Sequence, residues 1–227
     1  MVNVLLESYD LTAAYLYPAL KEYIHPGDRV AIVAFSFLPS QAGCLEEWEG
    51  LFGKNGMFYG WLVEPFAAFG VPEENIAFLN YYADTPESAA EKIRGADILY
   101  FTGGLPDAMM DRIKEFGLYE LIRDHPGLKL GCSAGAVIQL EEYHLSPDRD
   151  YPEFAYYAGF PWLKDFYVEV HYEGYPTQKE AIARVLRQRG KRVYSTGNNR
   201  SAIIVEDGKI RLLGDARCYT DPSQIEE

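Results

Sequence analysis

The run Leu128-Lys129-Leu130-Gly131-Cys132-Ser133-Ala134-Gly135-Ala136-Val137-Ile138 carries an apolar strand through a Gly-x-Ser-x-Gly turn into an apolar helix. A serine hydroxyl is a weak nucleophile until a sharp strand-to-helix turn lifts its oxygen clear of the sheet and aims nearby N–H groups at a substrate oxygen. Ser133 occupies the tip of such a turn, with glycines on either side that let strand and helix pack closely. A serine that merely caps a helix would account for Ser133 but would not need Gly131. Cys132, one residue from the tip, is expected to point into the core as a small apolar group.

Acyl transfer at such a serine needs a base, a group that orients the base, and donors for the developing oxyanion. Four histidines are available. His25 and His125 each precede proline in a turn and read as surface residues; His144 follows two glutamates and reads as solvated. His171 ends the apolar strand Tyr167-Val168-Glu169-Val170, and parallel α/β sheets place their ligands at the carboxyl ends of strands. His171 is therefore the candidate base. Asp148 and Asp150 lie in an irregular segment between nucleophile and base, and strand alternation puts Glu169 on the face of His171, so these three are the candidate acids. The N–H of Ala134, after the nucleophile, is one natural oxyanion donor, and Gly104 in Gly103-Gly104 is the candidate for the other.

The elements that must hold these groups follow a β-α-β rhythm. Apolar runs at 2–6, 29–35, 75–79, 98–101 and 128–132 read as strands, separated by helices over 12–23, 44–69, 85–94, 107–116 and 118–123. Thr85-Pro86-Glu87 supplies a capping Thr followed by Pro at the first helical position. Residues 145–165 are rich in Pro, Asp and Tyr without periodicity and read as irregular. A strand at 166–171, a helix at 178–188 and short strands at 192–195, 201–205 and 209–213 complete the chain, with Asp207-Gly208 as a hairpin signal. The fold class is α/β, a parallel sheet between helices with a small antiparallel C-terminal extension, forming a single domain over 1–227.

Composition bounds the partners. A net charge of −13 opposes binding to nucleic acid or anionic membrane, leaving a small molecule or peptide. Three cysteines, Cys44, Cys132 and Cys218, are too few and too irregularly spaced for a disulfide framework or a zinc site. The first residues lack the basic start and apolar core of a signal peptide, so a cytoplasmic location is expected.

Tyr100-Phe101-Thr102-Gly103-Gly104, then Gly131-Cys132-Ser133-Ala134-Gly135-Ala136, then His171-Tyr172, in this order, resemble the serine peptidase family of dipeptidase E and cyanophycinase. The resemblance spans 2–219. It implies a fold like the class I glutamine amidotransferases, a flavodoxin-like parallel sheet with serine in place of the usual cysteine. It also implies hydrolysis of a small peptide or amide bond through an acyl-enzyme, without metal or organic cofactor, and admits a homodimer. By the same resemblance Ser133 is the nucleophile, His171 the base and Gly104 an oxyanion donor, with the acid at Asp148 or Asp150. Two positions depart from the pattern. Leu105 stands where the family has a polar residue, and Glu173-Gly174-Tyr175-Pro176-Thr177-Gln178 carries no basic residue of the kind that holds an N-terminal aspartate. An esterase or amidase on the same elbow, a catalytically silent binding protein on the same scaffold, and a cysteine enzyme built on Cys132 remain the competing readings.

Overall fold

The computed structural model describes residues 1–225. Five apolar strands, β1 (Val2–Leu6), β2 (Val30–Val33), β3 (Ile76–Leu79), β4 (Ile98–Phe101) and β5 (Leu128–Cys132), pair in parallel in the order β1-β5-β4-β2-β3. Two strands, β10 (Ser201–Glu206) and β11 (Lys209–Gly214), joined at Asp207-Gly208, add antiparallel to the free edge of β1 and complete a seven-stranded sheet. Alternate residues of each parallel strand feed opposite faces: Val4, Leu6, Ile32, Tyr100 and Leu130 enter one core, and Leu5, Val33, Leu99 and Phe101 the other. Burial on both faces is why these strands read as unbroken apolar runs.

Helices α1 (Tyr17–Leu20), α2 (Leu45–Phe52) and α3 (Tyr59–Ala67) cover one face. Opposite them lie α4 (Pro86–Arg94), α5 (Pro106–Glu115), α6 (Tyr119–Arg123) and the short α7 (Ala134–Val137). The expected long helix over 44–69 is two helices, because Gly53 and Gly56 sit in a turn whose backbone folds back onto Leu51. The expected helix over 12–23 shrinks to one turn: Asp10 accepts from both the N–H and the hydroxyl of Thr12, fixing a turn where the helix would begin.

The segment 145–165 is not irregular throughout. Strands β6 (Glu142–Leu145) and β7 (Ala155–Ala158) pair antiparallel, fastened by the stacked rings of Tyr143 and Tyr157, whose centroids are 5.6 Å apart. A second small sheet contains β8 (Phe166–Glu169), β9 (Arg192–Ser195) and β12 (Arg217–Tyr219), and here β8 and β9 run parallel, joined by α8 (Pro176–Arg189). Helix α8 packs Ile182, Val185 and Leu186 against Tyr167 and Val193. Among the described residues, no helix is long and apolar enough to cross a membrane.

Candidate active site

The carboxyl ends of β1, β4 and β5 meet the end of β8. Ser133 follows β5 with φ 53° and ψ −109°, a left-handed backbone that no unstrained serine adopts, and its N–H is tied to the Leu6 carbonyl at 3.0 Å. The turn requires its glycines. A Cβ on Gly131 would run into the Gly135 carbonyl, and one on Gly135 into the Phe101 carbonyl, each far inside van der Waals contact. Cys132 points away into the core, and burial pushes its thiol well above the ordinary cysteine range, with the Glu7 carboxylate adding to the effect. A thiolate nucleophile is disfavoured at that position.

His171 also has a left-handed backbone, φ 53°. The β8–β9 ladder breaks around it: Thr196 N–H donates to the Glu169 carbonyl at 3.0 Å, and pairing resumes with Tyr172 N–H to the Thr196 carbonyl at 2.8 Å. Gln178 of α8 anchors the kink by donating to the His171 carbonyl at 2.7 Å. The kink sends the imidazole toward β5, and Nε2 lies 2.7 Å from Ser133 Oγ.

Nδ1 of His171 faces Glu7, the residue immediately after β1, at 2.8 Å from Oε1, while Oε2 accepts from the His171 backbone N–H at 3.2 Å. Burial pushes the Glu7 carboxyl up, but the hydrogen bond and charge of His171 outweigh it and hold it below the usual carboxylate range. The same hydrogen bond raises the His171 imidazole against the opposing effect of burial. A carboxylate only accepts, so Nδ1 carries the proton and Nε2 is free to accept from the Ser133 hydroxyl.

The position opposite Nδ1 is thus filled by none of the expected acids. Asp148 and Asp150 are exposed, and Asp148 Oδ1 closes a turn by accepting from the N–H groups of Asp150 and Tyr151 at 2.8 and 2.7 Å. Glu169 is buried and accepts from His144 and from the Ser146 hydroxyl, each at 2.7 Å. The alternation that places Glu169 beside His171 fails because the left-handed residue is His171 itself. Two histidines also depart from expectation: His144 is buried on Glu169, and His125 is buried between the Ala96 carbonyl at 3.0 Å and the Gly127 N–H at 3.1 Å. Glu7 was reachable from the sequence: it is a carboxylate at the carboxyl end of an apolar parallel strand, the same rule that selects His171 and Ser133.

Gly104 has φ +139°, and a Cβ there would meet the Ser36 carbonyl. The turn is fixed from both sides, with Gly103 N–H donating to the Tyr9 hydroxyl at 2.7 Å and Ser36 Oγ donating to the Gly103 carbonyl at 2.6 Å. Among the described residues, neither the Gly104 nor the Ala134 N–H donates to a protein acceptor, so both are available to an oxyanion. Among the described residues, no group of three or more His, Cys, Asp or Glu side chains is arranged to hold a metal ion.

Comparison with known proteins fits this geometry. The family model of peptidase family S51 matches residues 66–213, which include Gly104, Ser133 and His171 but not Glu7. Two solved structures share the fold at 17% identity and a TM-score of 0.65 each. One is a protein assigned to peptidase E from Listeria monocytogenes EGD-e, where the match covers 93% of this chain and 96% of that one. The other is a peptidase from an acI-B1 Actinobacterium, with 97% and 94% covered. No curated protein matches the sequence significantly. With a family match over most of its length and a Gly-x-Ser-x-Gly elbow at Ser133, the chain belongs to peptidase family S51 and is a serine-type peptidase.

Proposed function

We propose that the protein hydrolyses a small peptide or amide bond through an acyl-enzyme on Ser133. His171 Nε2 takes the hydroxyl proton as Ser133 Oγ attacks the scissile carbonyl carbon, and the N–H groups of Gly104 and Ala134 receive the oxyanion. The tetrahedral adduct collapses as His171 returns that proton to the leaving amine and the carbon–nitrogen bond breaks. Water then attacks the acyl carbon, again giving a proton to Nε2, and Ser133 Oγ leaves with the proton that regenerates its hydroxyl. Glu7 holds the imidazole in the tautomer that makes Nε2 the acceptor and stabilises the imidazolium formed in each half-reaction.

The observation that carries this reading is the unbroken line from the buried Glu7 carboxylate through His171 to Ser133 Oγ, at 2.8 and 2.7 Å. A fluorophosphonate probe tests it directly. The expected result is a covalent adduct on Ser133 in the wild type and none in Ser133→Ala; equal labelling of the two proteins, or none of the wild type, refutes it.

A further inference from the structure

Ser133, His171 and Gly104 stand on the wall between two hollows. The smaller, about 340 Å³, lies under the 144–151 segment. The larger, about 770 Å³, has room for a complete amino-acid side chain and its backbone. Its walls come from the broken helical segment: the turn that separates α2 from α3 brings Phe52, Phe58 and Trp61 into one line of rings, with centroids 5.6 and 5.9 Å apart. Trp61 at the end of that line is 59% exposed, a large apolar surface left uncovered in the hollow that Ser133 also lines.

The charges of this cavity are of one sign. Its acidic side chains are Glu7, Asp10 and Glu64, and none of the lining residues is Lys or Arg. Glu7 is committed to His171, and Asp10 accepts from Thr12. Glu64, on α3 one turn beyond Gly60, has no ion-pair or hydrogen-bond partner among the described residues. An acidic side chain entering here would find no cation and would face a free carboxylate, whereas an aromatic or long aliphatic one would cover the exposed face of Trp61.

We propose that this cavity seats one of the two residues flanking the scissile bond, selects large apolar and aromatic side chains, and rejects acidic ones, with Trp61 and Glu64 as the specificity-determining residues. The proposal rests on the serine hydrolase reading above and assigns its substrate class.

The test measures kcat/KM for two dipeptide series, Xaa-Ala and Ala-Xaa, with Xaa as Phe, Trp, Leu, Ala, Asp and Lys. Wild type, Trp61→Ala and Glu64→Lys are compared, each with its fluorophosphonate labelling rate. In one of the two series Phe, Trp or Leu should exceed Asp by about 100-fold or more. Trp61→Ala should lose about tenfold on the aromatic substrates and little on Ala, and Glu64→Lys should raise kcat/KM for Asp about fivefold. A labelled wild type that cleaves Asp as well as Phe in both series, or no aromatic dipeptide at all, overturns the selectivity while leaving the hydrolase intact. Trp61→Ala with an unchanged profile does the same. Failure of the wild type to label overturns the hydrolase reading instead.

Discussion

Replacing Glu7 by Gln removes one charge and keeps the shape, which isolates what the carboxylate contributes. Glu7 Oε1 lies 2.8 Å from His171 Nδ1, and the imidazole is 51% exposed, so the pair is screened as one near the protein surface. At an effective dielectric of about 20 and roughly 4 Å between charge centres, the attraction between carboxylate and imidazolium is about 4 kcal/mol. The imidazolium exists only after the proton has left Ser133, so the loss falls on the transition state, and plateau kcat should drop by roughly 10³-fold. A Gln amide that donates to Nδ1 would also leave the ring proton on Nε2, facing the hydroxyl it must accept from, and would lower the rate further. The pH profile gives an independent readout. Glu7 raises the His171 imidazole, and a histidine base works only when neutral, so the acid limb of kcat/KM should lie above the ordinary histidine value in the wild type. It should move to lower pH in Glu7→Gln. Asp150→Ala, in an exposed turn, should leave the limb where it is. The assay is kcat/KM from pH 5 to 9 on a cleaved dipeptide, with circular dichroism to establish folding. A folded Glu7→Gln enzyme within fivefold of wild type and with an unmoved acid limb would refute the assignment of Glu7.

Four further outcomes follow from the same structure. Ser133→Gly should be more stable than Ser133→Ala by about 1–2 kcal/mol in urea denaturation, because glycine accepts the left-handed backbone that an L residue holds under strain; equal stability would mean that the turn is unstrained. Gly135→Ala should fold poorly, losing more than about 3 kcal/mol in the same assay, since its new methyl group has no space beside the Phe101 carbonyl and backbone must shift. Lys129 is fully buried, donates to the His125 and Gly127 carbonyls, and is pulled by burial from its ordinary 10.5 down to about 8. The folded state therefore sheds this proton before the unfolded chain does, so wild-type stability relative to Lys129→Met should rise by about 1.4 kcal/mol per pH unit between pH 8 and 10, and a flat difference would remove desolvation as the cause. Iodoacetamide should leave peptidase activity unchanged at neutral pH, because Cys132 is buried and protonated; rapid inactivation prevented by Cys132→Ala would reopen the cysteine reading.

The parts of the molecule that were legible in the sequence are those where one physical requirement dominates a stretch of chain. The parallel strands had to be apolar on both faces, and α4 announced itself through Thr85, whose hydroxyl accepts from the Ser88 N–H at 3.3 Å ahead of Pro86 at the first helical position. The tight turns at Ser133 and Gly104 were legible because close backbone approach leaves no alternative to glycine at Gly104, Gly131 and Gly135. Strands β6 and β7 were hidden because Tyr serves both buried and half-buried positions in them, blurring the alternation. Glu7 carries the strand-end signal, but its distance along the chain from Ser133 conceals their proximity, since a parallel sheet brings together residues at matching strand ends regardless of their order: Leu6 pairs with Cys132, so the next residues of both strands, Glu7 and Ser133, emerge side by side.

That pairing bears on why the site holds left-handed residues at Ser133 and His171. Register alone delivers Glu7 and Ser133 to one edge of the main sheet, but His171 belongs to a different sheet, and its strand would carry the side chain past the site with ordinary extended backbone. The φ of 53° at His171 redirects the ring across the gap, and the kink is held at three points: Glu7 accepts its N–H, Gln178 donates to its carbonyl, and the β9 ladder closes again at Tyr172. Glu169, two residues upstream, fixes the other side of the kink through His144 and Ser146, so β6 is bound to the strand that leads to His171. Strain of about 1–3 kcal/mol at each such residue persists only where surrounding contacts over-determine it. Here those contacts come from β1, β6, β9 and α8, four elements widely separated in the chain, so the distance between Ser133 Oγ and His171 Nε2 is a property of the whole fold rather than of any local segment.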